Sequence, residues 1–153
     1  MKLYLVQHAK AASRDIDPAR SLTEEGLRDI QKVVAFIKSL NLSVDHLWHS
    51  GKKRAQQTAE CLAEVITINK EHTARDGLAP NDDVKAVENE IMSLKQDIMI
   101  VGHLPFLSNL ASLLVNGRYS SETVAFKNAG IVCLNYNDNQ WRLDWIIIPE
   151  LLF

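Results

Sequence analysis

The sequence predicts an α/β fold in which a sheet is layered with helices. Short apolar runs alternate with amphipathic segments along the chain, the pattern of a sheet covered by helices. Two of the apolar runs, Leu3-Tyr4-Leu5-Val6 and Ile98-Met99-Ile100-Val101, lead into histidine-bearing exits at His8 and His103. Open α/β sheets build their ligand sites at such strand exits. The 153 residues contain no repeat, linker or low-complexity tract, so one domain over 1–153 is expected.

The elements follow in order. A first strand is read over 2–7, then a polar loop over 9–20 that carries Lys10, Arg14 and Arg20. Ser21-Leu22-Thr23-Glu24 has the capping-box pattern, with Ser21 as cap and Glu24 reaching back. The helix behind it spaces Leu27, Ile30, Val34, Ile37 and Leu40 at a helical period, and Asn41 closes it. Residues 44–49 form a second strand. A second helix is expected over 54–66, with Ala55, Thr58, Ala59, Leu62 and Val65-Ile66 inward. Residues 72–75 carry a weak strand signal, and 76–83, with Gly77, Pro80 and Asn81, read as a loop. A third helix covers 84–94, with Val84, Val87, Ile91 and Leu94 on one side. The strand at 98–101 delivers His103, and a fourth helix over 105–115 has Pro105 in its first turn. Residues 130–136 and 140–148 form a hairpin across Asn137-Asp138-Asn139. Trp141, Leu143, Trp145 and Ile147 alternate on one face of its last strand, which assigns both tryptophans to the core.

Composition narrows the function. Apolar residues make up 46% and charged residues 24%, ordinary for a soluble globular chain. The formal net charge of −2 offers no overall basic field to nucleic acid or an anionic membrane, so any anion site must be local. Lys52-Lys53-Arg54 is short and lacks interleaved aromatics, so no nucleic-acid role is expected. No apolar run approaches the ~20 residues that span a bilayer. The N-terminus lacks the order of a signal peptide, and a cytoplasmic location is expected. Cys61 and Cys133 show no metal-type spacing and read as core residues. His46 and His49, three apart in a strand, point to opposite faces, so with His72 they are assigned structural or surface roles. No metal site is expected.

The remaining polar residues point to phosphate chemistry. A histidine held at a strand end attacks phosphorus when one ring nitrogen is fixed and the other faces the pocket. Phosphoryl transfer asks for little more than that nucleophile and donors to the equatorial oxygens. His8 suits the first task. Arg54 suits the second, because its planar fork holds two oxygens and its helix start adds free N–H groups. His103 is a further donor, and Ser50, at the exit of the second strand, adds a hydroxyl.

The motifs extend this reading. Gln7-His8-Ala9 is followed by Ser21-Leu22-Thr23-x-x-Gly26, then by Ser50-x-x-x-Arg54-Ala55-x-Gln57-Thr58, then by Gly102-His103-x-Pro105. In this order they resemble the Arg-His-Gly, Pro-Leu-Thr-x-x-Gly, Ser-Pro-x-x-Arg-Ala-x-Gln-Thr and second-histidine segments of the histidine phosphatase superfamily. Within that phosphoglycerate mutase-like group, the short SixA-like phosphohistidine phosphatases are the most similar. The resemblance spans residues 1 to about 110. It implies a three-layer α/β/α sandwich with a mainly parallel central sheet and no metal or organic cofactor. It also implies that His8 becomes transiently phosphorylated, that Arg54 and His103 form the phosphate pocket, and that His103 stabilises the transferring group. The partner it implies is a phosphohistidine-bearing protein, such as a phosphorelay component.

Position 7 departs from the family pattern, which has arginine where this chain has Gln7. An amide still donates hydrogen bonds to a phosphoryl oxygen but brings no charge. Loss of such a donor typically costs ~3–4 kcal/mol of transition-state stabilisation. Lys10, Arg14 and Arg20 are the candidate replacements. No decisive acidic proton donor is evident, although Asp76, Asp82 and Asp83 lie where one would sit. Phosphoimidazole, once protonated, leaves as neutral imidazole without much help, whereas an alkoxide needs an acid. The missing acid therefore favours phosphohistidine. A phosphomonoesterase that uses one of these aspartates, and a phosphate- or phosphoprotein-binding module, are the alternatives.

Overall fold

Six strands pair into one sheet in the order β3-β2-β4-β1-β5-β6, taking β1 as Lys2–Gln7, β2 as Ser43–His49, β3 as Thr67–Ala74, β4 as Ile98–Gly102, β5 as Ile131–Asn137 and β6 as Gln140–Ile147. The computed structural model describes residues 1–119 and 123–153. β3, β2, β4 and β1 run parallel, and β5 and β6 add an antiparallel hairpin beside β1. Among the described residues, four α-helices cover the sheet: α1 (Glu24–Ile37), α2 (Lys53–Ala63), α3 (Val84–Leu94) and α4 (Phe106–Asn116).

Alternation along the strands divides the core in two. Leu3, Leu5, Ile98 and Ile100 pack against Val84, Val87 and Ile91 of α3 and Phe106, Leu107 and Leu110 of α4. Tyr4, Val6, Met99 and Val101 pack on the other face against Ile30, Val33 and Ile37 of α1 and Ala55, Ala59 and Leu62 of α2. β1 and β4 are apolar on both faces because helices cover both, as parallel strands require. The result is the three-layer α/β/α sandwich with a mainly parallel sheet.

Four local expectations are corrected. The cap of α1 is Thr23, not Ser21: the Thr23 hydroxyl accepts from Gly26 N at 3.0 Å. Leu22 is still extended, bridged to Ala11, and Ser21 N is held by the Asp17 carboxylate, so the helix cannot begin earlier. The buried stripe of α1 is accordingly Gly26, Ile30, Val33 and Ile37, leaving Leu27 and Leu40 exposed. A Cβ at Gly26 would collide with Lys10 O, so only glycine lets the first loop cross this helix.

Strand β3 is twice the length of its sequence signal and takes in residues beyond a helix that ends at Ala63. It lies at the sheet edge with mostly exposed polar side chains, so backbone pairing to β2 defines it and apolar alternation does not. Finally, Trp141 and Trp145 lie on opposite faces. Cys133 pairs with Trp145 but Leu134 pairs with Leu143, so Asp144 is an extra residue that reverses the alternation. Trp141 joins the α3–α4 core and Trp145 borders the α1–α2 core. The hairpin turns through Asp138 and Asn139, both at positive φ, as a tight two-residue connection requires.

Candidate active site

Three adjacent parallel strands end together, and each exit contributes a polar side chain. Gln7 of β1 is in register with Gly102 of β4, and His49 of β2 with Val101, so His8, His103 and Ser50 emerge side by side. The His8 and His103 rings stand 5.2 Å apart between centroids, tilted by 52°.

His8 is held on every side. Its N–H donates to Gly102 O at 3.1 Å. Its carbonyl accepts from Asn128 Nδ2 at 2.9 Å, and Ala129 N donates to Gln7 O at 2.9 Å. The ring's Nδ1 lies 2.7 Å from Ala9 O. A carbonyl oxygen only accepts, so Nδ1 carries the proton and Nε2 keeps its lone pair in the neutral ring. Burial, then the charges of Arg54 and Arg20, lower the His8 pKa despite the opposing Ala9 bond. At neutral pH the ring is therefore uncharged, with an available nucleophilic nitrogen.

His103 is held differently. It is 2% exposed, and its Nε2 lies 2.6 Å from Ser50 Oγ. Its Nδ1 is buried without a hydrogen-bond partner. Burial, followed by the charges of Arg54, His8, Lys52 and Arg20, pushes its pKa down to about 3. A bound anion would reverse part of that shift by answering the cations that cause it. Ser50 Oγ also accepts from Lys52 N at 3.3 Å, which joins this exit to the start of α2.

Arg54 lies in the first turn of α2, whose N-cap residue Lys52 makes no side-chain cap. The first-turn N–H groups and the helix dipole add positive potential there. Its half-buried guanidinium has an unpartnered, inaccessible Nε, and burial with Arg20 and Arg14 nearby lowers its pKa. Crowded cations without a carboxylate partner among the described residues are the electrostatic signature of an anion site. Thr58 ties this helix to the first strand. Its hydroxyl donates to Arg54 O at 2.8 Å and accepts from Ala9 N at 3.0 Å. The preceding residue, Gln57, accepts from Leu22 N through Oε1 at 2.8 Å, so the Ala-x-Gln-Thr run sutures the first loop to α2.

The remaining candidates separate clearly. The side chain of Gln7 makes no hydrogen bond to these groups among the described residues, and its buried Oε1 is unpartnered. Lys10 is committed to Glu25 at 2.6 Å. Arg14 acts on Arg54, but only Arg20 among the first-loop cations acts on Arg54 and both histidines. Arg20 has a left-handed backbone, φ 54°, and its Nε donates to Ala12 O at 3.1 Å. Asp82 accepts from Ala79 N and Asp83 caps α3 through Lys85 N, so both carboxylates are engaged in local backbone bonds. Asn128, which supports His8, went unread in the sequence; it lies just before β5, with no local pattern linking it to β1. Among the described residues, no group of three His, Cys, Asp or Glu is placed to hold a metal ion. His46 instead bonds Glu71 and Gln96, and His49 accepts from Gly51 N.

Known proteins share both sequence and architecture with this chain. Residues 3–79 match the histidine phosphatase superfamily, branch 1. An uncharacterized protein of Picosynechococcus sp. is 30% identical over 141 residues, covering 88% of this chain and 84% of that protein. Phosphohistidine phosphatase SixA of Escherichia coli K12 is 23% identical over 123 residues, covering 77% of this chain and 76% of that protein. The solved structure of the protein histidine phosphatase SixA complexed with tungstate superposes with a TM-score of 0.86 at 20% identity, covering 99% of both chains. A phosphoserine phosphatase mutant from Entamoeba histolytica, bound to phosphoserine, gives a TM-score of 0.70 at 15% identity over 95% of each chain. The strand-end histidines thus lie in a SixA-like fold, and the chain belongs to the histidine phosphatase superfamily.

Proposed function

We propose that this protein removes phosphate from phosphohistidine on a partner protein, through a covalent phosphate on His8. The observation that carries the reading is the tautomer of His8: its Nδ1–H is committed to Ala9 O, so Nε2 is the nucleophile. Nε2 attacks the phosphorus in line, the P–N bond to the substrate breaks, and a protonated substrate imidazole leaves neutral. Water then attacks the phosphorus of phospho-His8, releasing inorganic phosphate and regenerating the ring. Arg54 grips the equatorial oxygens, His103 donates to the transferring group, and Ser50 orients His103. Gln7 brings no charge to this pocket, and Arg20 is the cation that takes its place.

The choice of phosphohistidine rests on the leaving group. Of the three candidate acids, Asp82 and Asp83 are engaged in the loop and the α3 cap, which supports a substrate that needs no strong acid and leaves Asp76→Asn as the variant that tests an acid-dependent esterase. The test is incubation with a phosphohistidine protein, quenched in alkali, with mass spectrometry of His8 and an assay of released phosphate. Phospho-His8 with turnover, both lost in His8→Ala, is the expected result. Faster turnover of alkyl phosphates in a parallel assay would overturn the substrate assignment. Phosphate binding without phospho-His8 or turnover would instead identify a binding module.

A further inference from the structure

The cations beside the site outnumber what one phosphoryl group requires. A cleft of about 330 Å3 between the first loop and the start of α2 is lined by Arg14, Arg20, Lys52, Lys53 and Arg54, with no acidic residue in its wall among the described residues. This is unexpected in a chain whose formal net charge is −2. Among the described residues, four lysines and arginines elsewhere pair with carboxylates, Lys2 with Asp144, Lys10 with Glu25, Arg75 with Glu90 and Lys85 with Glu88, and the other unpaired ones do not gather in one cleft wall. Among the described residues, none of the five in the cleft is in an ion pair. Asp17 lies near Lys53, but its carboxylate accepts from Ser21 N and Ala19 N instead.

The cations divide by position. Arg54 and Arg20 act on both histidines and serve the phosphoryl group. Arg14 and Lys53 are exposed and act on neither ring, so they face whatever surrounds that group. The rest of the wall among the described residues is Pro18 and Ala19, which provides no aromatic face for a base or sugar ring. Long, mobile side chains at an open mouth suit separate carboxylates on a chain. Rigid recognition of a small phosphometabolite would need a closed, shaped wall.

We propose that this cleft docks an acidic segment of the phosphoprotein, with carboxylates flanking the phosphorylated residue held by Arg14 and Lys53. The proposal rests on the phosphohistidine reading and names the partner's chemistry. Its field would also draw the partner in before the phosphoryl group reaches His8.

The experiment compares two phosphohistidine peptides that differ only in glutamate or glutamine flanks. At low salt the glutamate peptide is expected to show a kcat/KM roughly tenfold higher, as two exposed charge contacts would give. In Arg14→Gln/Lys53→Gln that ratio falls towards one, and ~0.5 M salt has the same effect in the unaltered protein. Fluorescence anisotropy of the unphosphorylated peptides reads docking without chemistry, with tighter binding of the glutamate form that the double variant loses. Equal binding of both peptides by the unaltered protein, or a preference that survives the double substitution, would overturn the proposal. Absence of turnover would refute the phosphatase reading alone, because the binding comparison still decides the cleft.

Discussion

The exits of β1 and β4 lie side by side and carry the same residue, but the two histidines are held in opposite ways. At the first exit, backbone and side-chain bonds surround His8, and a carbonyl 2.7 Å away sets its tautomer. At the second, His103 has one side-chain partner, Ser50, and an unpartnered buried nitrogen. Both pKa values are lowered, but His103 is less exposed and falls to about 3. A fixed tautomer suits a nucleophile, which must present the same lone pair at every turnover. An unsatisfied donor position suits a group whose partner arrives with the substrate. Identical residues at equivalent strand ends are therefore presented to the pocket differently by the second bond each one makes.

The sharpest way to break that comparison is to remove each ring in turn. His8→Ala is expected to lower turnover by roughly 10⁴-fold or more and to abolish phosphoenzyme. His103→Asn should lower turnover by about 10²–10³-fold while phosphate still accumulates on His8. Phosphate found on His103 in the unaltered protein would reverse the assignment. The next largest effect concerns charge at the first exit. Arg20→Ala should reduce turnover by about 10²-fold, and adding Gln7→Arg should restore much of it. Failure of that rescue, in a protein with normal thermal unfolding, would show that Arg20 does not stand in for the family arginine.

Smaller effects test how the exits are supported. Thr58→Val removes the acceptor for buried Ala9 N and should cost about 1–3 kcal/mol in urea unfolding. Activity should fall with it, since Arg54 and His8 lose their shared tie. The smallest effect is the pH dependence of stability from His103. Its folded pKa of about 3 lies below its ordinary value, so between about 6.5 and 3 the unfolded chain binds the extra proton. Stability from this group is complete above pH 6.5 and is lost as the pH falls towards 3. His103→Asn should remove about 1–3 kcal/mol of that loss, measured as the change in urea midpoint across the window. An unchanged slope would mean that His103 takes up its proton equally in both states.

Much of the layout is legible in residue order, because burial imposes periodicity. Helix α3 matches its expected span, Val84–Leu94, because Val84, Val87 and Ile91 face inward at helical spacing, although Leu94 at its end is left exposed. The apolar runs of β1 and β4 read correctly for the same reason. Elements defined by partners at long range are less legible. β3 is polar and exposed, so its pairing with β2 leaves little mark on its own sequence. One extra residue at Asp144 sends Trp141 and Trp145 to opposite faces, and no local rule reveals that register.

The site divides in the same way. The sequence alone determined which chemistry was available: histidines at strand exits, an arginine at a helix start, and glutamine where the family has arginine. These are properties of residue type and local period. Only the tertiary structure decided which nitrogen of His8 is free, that Asn128 supports it, and that Lys10 has a carboxylate partner while Arg20, among the described residues, has none. It also decided that five cations share one cleft. The physical reason is that hydrogen bonds and Coulomb interactions depend on distances between residues far apart in the chain, and folding alone sets those distances.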